Sequence, residues 1–213
     1  MIKLVSFDIW GTLLDLNLML EAIVEELSYL SSLEKTFIDN AFKKARKESR
    51  ELRLQGKLPA KEAVNICQKL FADTLGLDVE FIKRAVVKAT LKVRKHIGYP
   101  VAIEVLKTVK EKELFVCTIG NVQFWSSNYT RIFIEETGFA NYIDKQFYSD
   151  EVGVFKPEKE IFIHAASYFK VKPEEMIHVG DREKEDFFGA QKAGVNAFLL
   201  KKPEDLKHIL EFI

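Results

Sequence analysis

The chain opens on a short apolar run, Leu4 to Phe7 in the segment LVSFDIWGTLLD, that halts on an acid, Asp8. A continuous run of this length predicts a buried strand over residues 2–8. From residue 16 to about 95 the pattern turns helical. In FIDNAFKKARKESRELRL, apolar or small residues recur at Phe37 or Ile38, Ala41 or Phe42, Ala45, Ser49 and Leu52. PAKEAVNICQKLFADTLG opens on Pro59 and closes on Gly76, the residue types that start and stop helices. DVEFIKRAVVKATLKVRKH places Val79, Ile82, Val86, Ala89 and Val93 on one stripe. Three or four helices with short connections predict a compact antiparallel bundle.

After Gly98-Tyr99-Pro100 the pattern changes again. The helix VAIEVLKTVKEK precedes ELFVCTIGN, and KQFYSDEVG, EMIHVGD and NAFLL are three more short apolar runs. Helical segments are expected between and after them at 124–137, 158–169, 185–193 and 203–212. Strands alternating with helices imply a parallel sheet covered on both faces. The expected architecture is thus an α/β core over 1–14 and 97–213, with a helical unit over 15–96 inserted after the first strand. Parallel sheets place ligand sites at the carboxyl ends of their strands.

Composition narrows the function. Of 213 residues, 47% are hydrophobic and 30% charged, and Lys plus Arg balance Asp plus Glu at 32 each, as in an ordinary globular protein. No global field calls for nucleic acid or a membrane surface. Every apolar stretch falls short of the ~20 residues of a membrane span, and the first strand begins almost at once. A cytoplasmic monomer or small homo-oligomer is expected. Cys67 and Cys117 have no CxxC partner or metal-ligand spacing, which suits two buried free thiols.

The strand ends carry the chemistry. The first gives Asp8 followed by Gly11 and Thr12, and the second gives Thr118 followed by Gly120 and Asn121. The third leads to Lys156 in GVFKPE, and the fourth to Asp181 and Asp186 in VGDREKEDF. An ionised Asp8 could attack phosphorus in line and split hydrolysis into two steps through an acyl-phosphate. Carboxylates alone repel phosphate, so a cation is expected between them. Mg²⁺ suits oxygen ligands and needs few carboxylates, which Asp8, Asp181 and Asp186 could supply. Thr118, Lys156 and backbone N–H groups near Gly11 and Gly120 would hold the phosphoryl oxygens.

These four segments, DIWGT, VCTIGN, VFKPE and GDREKED, resemble in order the signatures of the haloacid dehalogenase (HAD) superfamily. The resemblance implies a Rossmann-like doubly wound core and a helical cap over the site. It also implies catalytic roles for Asp8, Thr118 and Lys156. Substrate contacts would come from Trp10, Gly11, Thr12, Ile119, Gly120 and Asn121, and metal contacts from Asp8, the Trp10 carbonyl, Asp181 and Asp186. The implied partner is a small phosphorylated molecule.

One residue departs from the family's phosphatases. The position two after the nucleophile is usually a second Asp that protonates the leaving oxygen, and here it is Trp10. Haloacid dehalogenases carry an aromatic there, since halide leaves without a proton. They bind no metal, however, and usually lack the Gly-Asp…Asp pair found here. A Mg²⁺-dependent phosphatase is the expected activity. A metal-independent 2-haloacid dehalogenase and a catalytically weak binding protein are the alternatives.

Other residues carry structural expectations. Arg46, Arg50 and Arg53 form a basic stripe with Glu48 and Glu51 nearby, expected to be a solvated face. His164 and His178 read as structural, Phe124 and Trp125 as contacts between a helix and the core, and Trp10 as pocket lining. Leu16, Leu18, Met19 and Leu20 are expected inside the helical unit or facing the substrate channel.

Overall fold

The structure is a computed structural model that describes residues 1–213. Five parallel strands, β1 (Leu4–Phe7), β2 (Phe115–Gly120), β3 (Lys145–Tyr148), β4 (Met176–Gly180) and β5 (Asn196–Leu199), form one sheet in the order β3-β2-β1-β4-β5. The chain leaves β1 for β2 on one side and later returns to its other side with β4. The site therefore opens where strand order reverses, beyond the carboxyl end of β1. All four β1 residues are buried, as a strand covered on both faces requires.

Four helices stand between β1 and the rest of the core: α1 (Leu16–Ser31), α2 (Lys35–Leu54), α3 (Ala63–Leu75) and α4 (Val79–Val93). Local signals fix their ends. The Asp15 carboxylate accepts from the Asn17 and Leu18 N–H groups, and Asp78 does the same for Glu80. Gly76 closes α3 in the left-handed conformation, where a Cβ is costly. α1 packs on α4 and α2 on α3. Two short connectors join these helices to the sheet, and they bond to each other: Asp15 N–H donates to the Ile97 carbonyl at 2.8 Å and Tyr99 N–H to the Leu13 carbonyl at 2.9 Å.

On one sheet face a single apolar cluster runs from Val5, Phe7 and Val116 into the inserted helices through Phe42, Phe71 and Phe124. On the other, Leu4, Cys117, Ile119 and Phe147 pack under α8 (Lys159–Tyr168) and α9 (Phe188–Lys192). The remaining helices are α5 (Pro100–Glu111), α6 (Ser127–Glu136) and the single turn α7 (Ser149–Val152).

Several segments differ from expectation. The helix expected over 124–137 begins only at Ser127. Val122 N–H donates to Ser149 Oγ ahead of it, and the helix's first N–H, on Ser127, donates to Asp150 Oδ2. Side chains of the β3–α7 region thus pin the segment and fix where the helix starts. The 185–193 segment starts as a π-helical turn, Glu183–Phe187, before α9, and residues 203–211 wind as a 3₁₀ helix. No helix is long and apolar enough to cross a membrane.

Candidate active site

Asp8 follows β1 directly, and its N–H donates to the Val179 carbonyl of β4 at 2.7 Å, anchoring it between the two strands. Lys156 donates to Asp8 Oδ1 at 2.5 Å and to Asp186 Oδ1 at 2.7 Å, with its own side chain 2% exposed. Burial pushes Asp8 up to about 7; Lys156 opposes this, while Asp186 and Asp181 add to it. For Lys156, burial works against the charge, but Asp186 and Asp8 outweigh it and raise the pKa above the ordinary value.

Asp186 has little freedom. Its Oδ1 receives Lys156 and faces His178 Nε2 at 3.2 Å, and its Oδ2 accepts the Arg182 N–H at 2.9 Å. Burial alone would raise its pKa; the Lys156 charge and the His178 hydrogen bond hold it below the usual carboxylate range. Burial pushes His178 down to about 4, so the ring is neutral at pH 7. It lies 2.8 Å from Ser6 Oγ through Nδ1, so a proton on Nε2 satisfies Asp186 while Nδ1 accepts from Ser6.

One carboxylate oxygen from each of Asp8, Asp181 and Asp186 falls within 4.8 Å of the others. Asp181 Oδ1 is buried without a hydrogen-bond partner. Burial and the nearby Asp186 raise the Asp181 pKa. The Trp10 carbonyl also accepts no hydrogen bond. An all-oxygen donor set with an orphaned buried carboxylate oxygen fits a hard divalent cation. Asp181 and the Trp10 carbonyl have free acceptors for it, and Asp8 Oδ2 meets only the long Thr12 contact, whereas both Asp186 oxygens are closely engaged. Two glycines make the approach possible. A Cβ on Gly11, whose φ is +91°, would sit 2.7 Å from Asp181 Oδ2, and one on Gly180 would strike the Asp186 side chain.

A cavity of about 380 Å³ lies beside Asp8, between the inserted helices and the strand ends. Trp10, Leu16, Leu20, Phe124 and Trp125 make its apolar wall. Trp10 meets Trp125 and Phe133 edge-on, with ring centroids 5.0 and 5.5 Å apart.

The sequence-derived candidates divide here. Asp8, Trp10, Asn121, Lys156 and Asp186 line the cavity. Asn121 serves Lys156: its amide donates to the Lys156 carbonyl at 2.9 Å and accepts its N–H at 2.8 Å. Thr118 lies two residues before the end of β2, paired with Phe7, and not at the end as expected; its Oγ is buried without a partner and lies off the cavity wall. Ile119 points into the opposite apolar cluster, so its side chain is turned from the cavity. Gly11, Thr12 and Gly120 also lie off the wall, and Thr12 Oγ donates to Asp8 Oδ2 at 3.4 Å.

The basic stripe is the main correction. Arg46, Arg50 and Arg53 line the cavity with Lys47, and of these Arg50 and Lys47 also stay open to solvent as expected, while Arg46 and Arg53 are drawn in. Arg53 is 8% exposed and donates to Glu185 at 2.8 Å and to the Lys156 carbonyl at 3.2 Å. Glu48 and Glu51 do not balance the stripe; Glu185, from the far side of the chain, takes Arg53 and, at 3.4 Å, Arg50. Leu16 and Leu20 take the second of their two expected places and line the cavity, while Met19 is buried inside the helical unit. Sequence reading passed over Glu185, and it read His178 as structural without its contact to Asp186. The signal for His178 was two polar residues, Ser6 and His178, in otherwise apolar strands; they are cross-strand neighbours.

Residues 2–194 match the haloacid dehalogenase-like hydrolases, and the chain belongs to that family. Over 58 residues it is 45% identical to the glyceraldehyde 3-phosphate phosphatase of Methanopyrus kandleri, a match covering 27% of this chain. That stretch is 25% of the relative's length, so the likeness is local. A HAD-hydrolase of Bacillus subtilis, solved bound to magnesium, superposes with a TM-score of 0.80 at 18% identity, covering 99% of both chains. The L-2-haloacid dehalogenase of Xanthobacter autotrophicus with covalently bound chloropropionic acid gives 0.71 at 19% identity, covering 99% of this chain and 83% of the other. Both share this fold, so the fold does not separate the two chemistries.

Proposed function

We propose that this hydrolase is a Mg²⁺-dependent phosphatase of small phosphorylated molecules, with Asp8 as nucleophile. The observation that carries the reading is the carboxylate cluster of Asp8, Asp181 and Asp186 within 4.8 Å, with the Asp181 oxygen unpartnered. A metal-free displacement of halide has no use for that oxygen. Held by Asp8, Asp181 and the Trp10 carbonyl, the cation would neutralise phosphoryl charge as a Lewis acid.

The chain's own groups do the rest. Asp8 attacks phosphorus, the bond to the leaving oxygen breaks, and the phosphoryl group sits on the Asp8 carboxylate until water releases it. Lys156 opposes the burial that raises Asp8, favouring its ionised form, and offers a fixed positive charge to the phosphoryl oxygens. Asp186, Asn121 and the neutral His178 position that lysine. The apolar wall and the inserted helices, acting as a cap over residues 15–96, exclude bulk water.

No free acid stands ready to protonate the leaving oxygen. Trp10 has none to give, and Glu185 is committed to Arg53. General acid catalysis typically contributes 10²–10⁴-fold, so the site favours leaving groups that depart as stable anions, such as aryloxides and carboxylates. The aromatic Trp10 and the guanidinium-rich wall also suit a 2-haloacid, which is the second reading.

The test is phosphate release from an aryl phosphate and an acyl phosphate, with Mg²⁺ and with EDTA, beside Asp8→Asn. Release that requires both the metal and Asp8 is expected. Chloride release from 2-chloropropionate that survives EDTA, without phosphate release, would replace the phosphatase by a dehalogenase. If neither product forms, the chain is a binding protein.

A further inference from the structure

The cavity holds more positive charge than a phosphoryl group needs. Arg46, Lys47, Arg50, Arg53, Lys156 and Arg182 line it against only Asp8, Glu185 and Asp186. A phosphate monoester carries close to two negative charges, which one divalent cation cancels. Lys156 is matched by Asp8 and Asp186, and Arg53 by Glu185. Arg46 and Lys47 have no carboxylate within ion-pair distance, and Arg182 has only an exposed contact to Asp181 at 3.4 Å. Arg46 is half-buried, and burial and repulsion from Arg182 depress its pKa. On the same wall the Gln123 side-chain nitrogen is buried with no acceptor. Two guanidinium groups and an amide donor thus share a concave surface; Arg46 and the Gln123 amide nitrogen have no partner there, and Arg182 has only its exposed contact to Asp181. A cavity of this kind fixes a ligand through a few convergent polar groups.

Resting on the phosphatase reading, we propose that Arg46, with Arg182 and Gln123, forms a subsite for a second anionic group of the substrate. The substrate class is then a small phosphorylated carboxylic acid with an apolar segment against Trp10, Leu20 and Trp125. Arg46 would bind the carboxylate as a planar fork. It touches the part of the substrate remote from the reacting phosphorus, so it sets specificity.

The test compares 4-carboxyphenyl phosphate with its neutral isostere, 4-carbamoylphenyl phosphate, and repeats the pair with one and two methylenes before the carboxyl group. kcat/KM is measured for each, and binding of each to Asp8→Asn protein is followed by titration calorimetry. At least one carboxylate is expected to exceed its amide about ten- to a hundredfold, the range of a charge-assisted hydrogen bond. Arg46→Gln collapses that ratio toward one, and Arg46→Lys restores part of it. If Arg46→Gln unfolds, Arg182→Gln on its exposed loop should lower the same ratio.

Equal kcat/KM for every acid and amide in the wild-type protein would overturn the subsite and leave the phosphatase standing. No phosphate release from any compound, with an Arg46-dependent preference for carboxylates in calorimetry, would overturn the phosphatase and keep the subsite. A preference that survives Arg46→Gln would overturn the assignment to Arg46.

Discussion

Lys156 and Asp186 form a salt bridge at 2.7 Å with each side chain 2% exposed, and the same ammonium reaches Asp8. Removing one member of such a buried pair leaves an uncompensated charge and costs about 3–5 kcal/mol. Lys156→Met strands two carboxylates at once. We expect its unfolding free energy in EDTA to fall by that amount, lowering the denaturant midpoint, and phosphate release with Mg²⁺ to drop about 10²–10³-fold, as when a preorganised donor is lost. An unchanged midpoint would show that Asp8 and Asp186 are not held by Lys156.

The close approach of Gly180 to Asp186 gives a prediction confined to the site. A Cβ at residue 180 would lie 2.3 Å from Asp186 Cγ, too close to coexist. Gly180→Ala must push Asp186 away from Lys156, His178 and the Arg182 N–H. The expected result is loss of most phosphate release with the far-ultraviolet circular dichroism retained. Wild-type kinetics in Gly180→Ala would show that Asp186 can move without consequence.

Much of this arrangement was legible in the chain itself. Strand β1 is a plain apolar run, and an acid at its end is expensive unless used, so Asp8 stood out. The order of Asp8, Lys156, Asp181 and Asp186 along alternating strands and helices implied one pocket because parallel strands share an end. Thr118 was misplaced because the apolar run continues through Ile119 and only hydrogen bonding to β3 shows where β2 stops. Arg53 was misread for a different reason. Its partner Glu185 lies 132 positions away, and local spacing offered Glu48 and Glu51 as nearer acids. Periodicity describes a helix face without saying what covers it.

Arg53 and Glu185 join the inserted helices to the core, so their coupling is measurable by a double-mutant cycle. Both side chains are nearly buried and 2.8 Å apart. Arg53→Met leaves Glu185 with only the longer Arg50 contact, and Glu185→Gln leaves Arg53 uncompensated. Each single variant is expected to lose more stability than its share of the pair. The double variant should be more stable than the two losses summed, with a coupling of about 0.5–3 kcal/mol by chemical denaturation. Strict additivity would mean that the pair does not fasten the helices to the core.

Trp10 separates the catalytic readings most directly. Its ring fills an apolar corner against Trp125 and Phe133, and the proposed phosphatase mechanism puts the leaving oxygen beside it. Trp10→Asp would supply a proton donor and remove the aromatic contacts together. Truncating a fully buried aromatic costs about 3–5 kcal/mol and half-buried Trp10 less, so a modestly lower melting temperature is expected. Activity should divide by leaving group. Turnover of an alkyl phosphate should rise relative to an aryl phosphate, by up to the 10²–10⁴-fold that general acid catalysis contributes. The ratio of the two kcat values checks this and is insensitive to the fraction of folded enzyme. If Trp10→Asp leaves that ratio unchanged, the leaving oxygen does not sit beside residue 10.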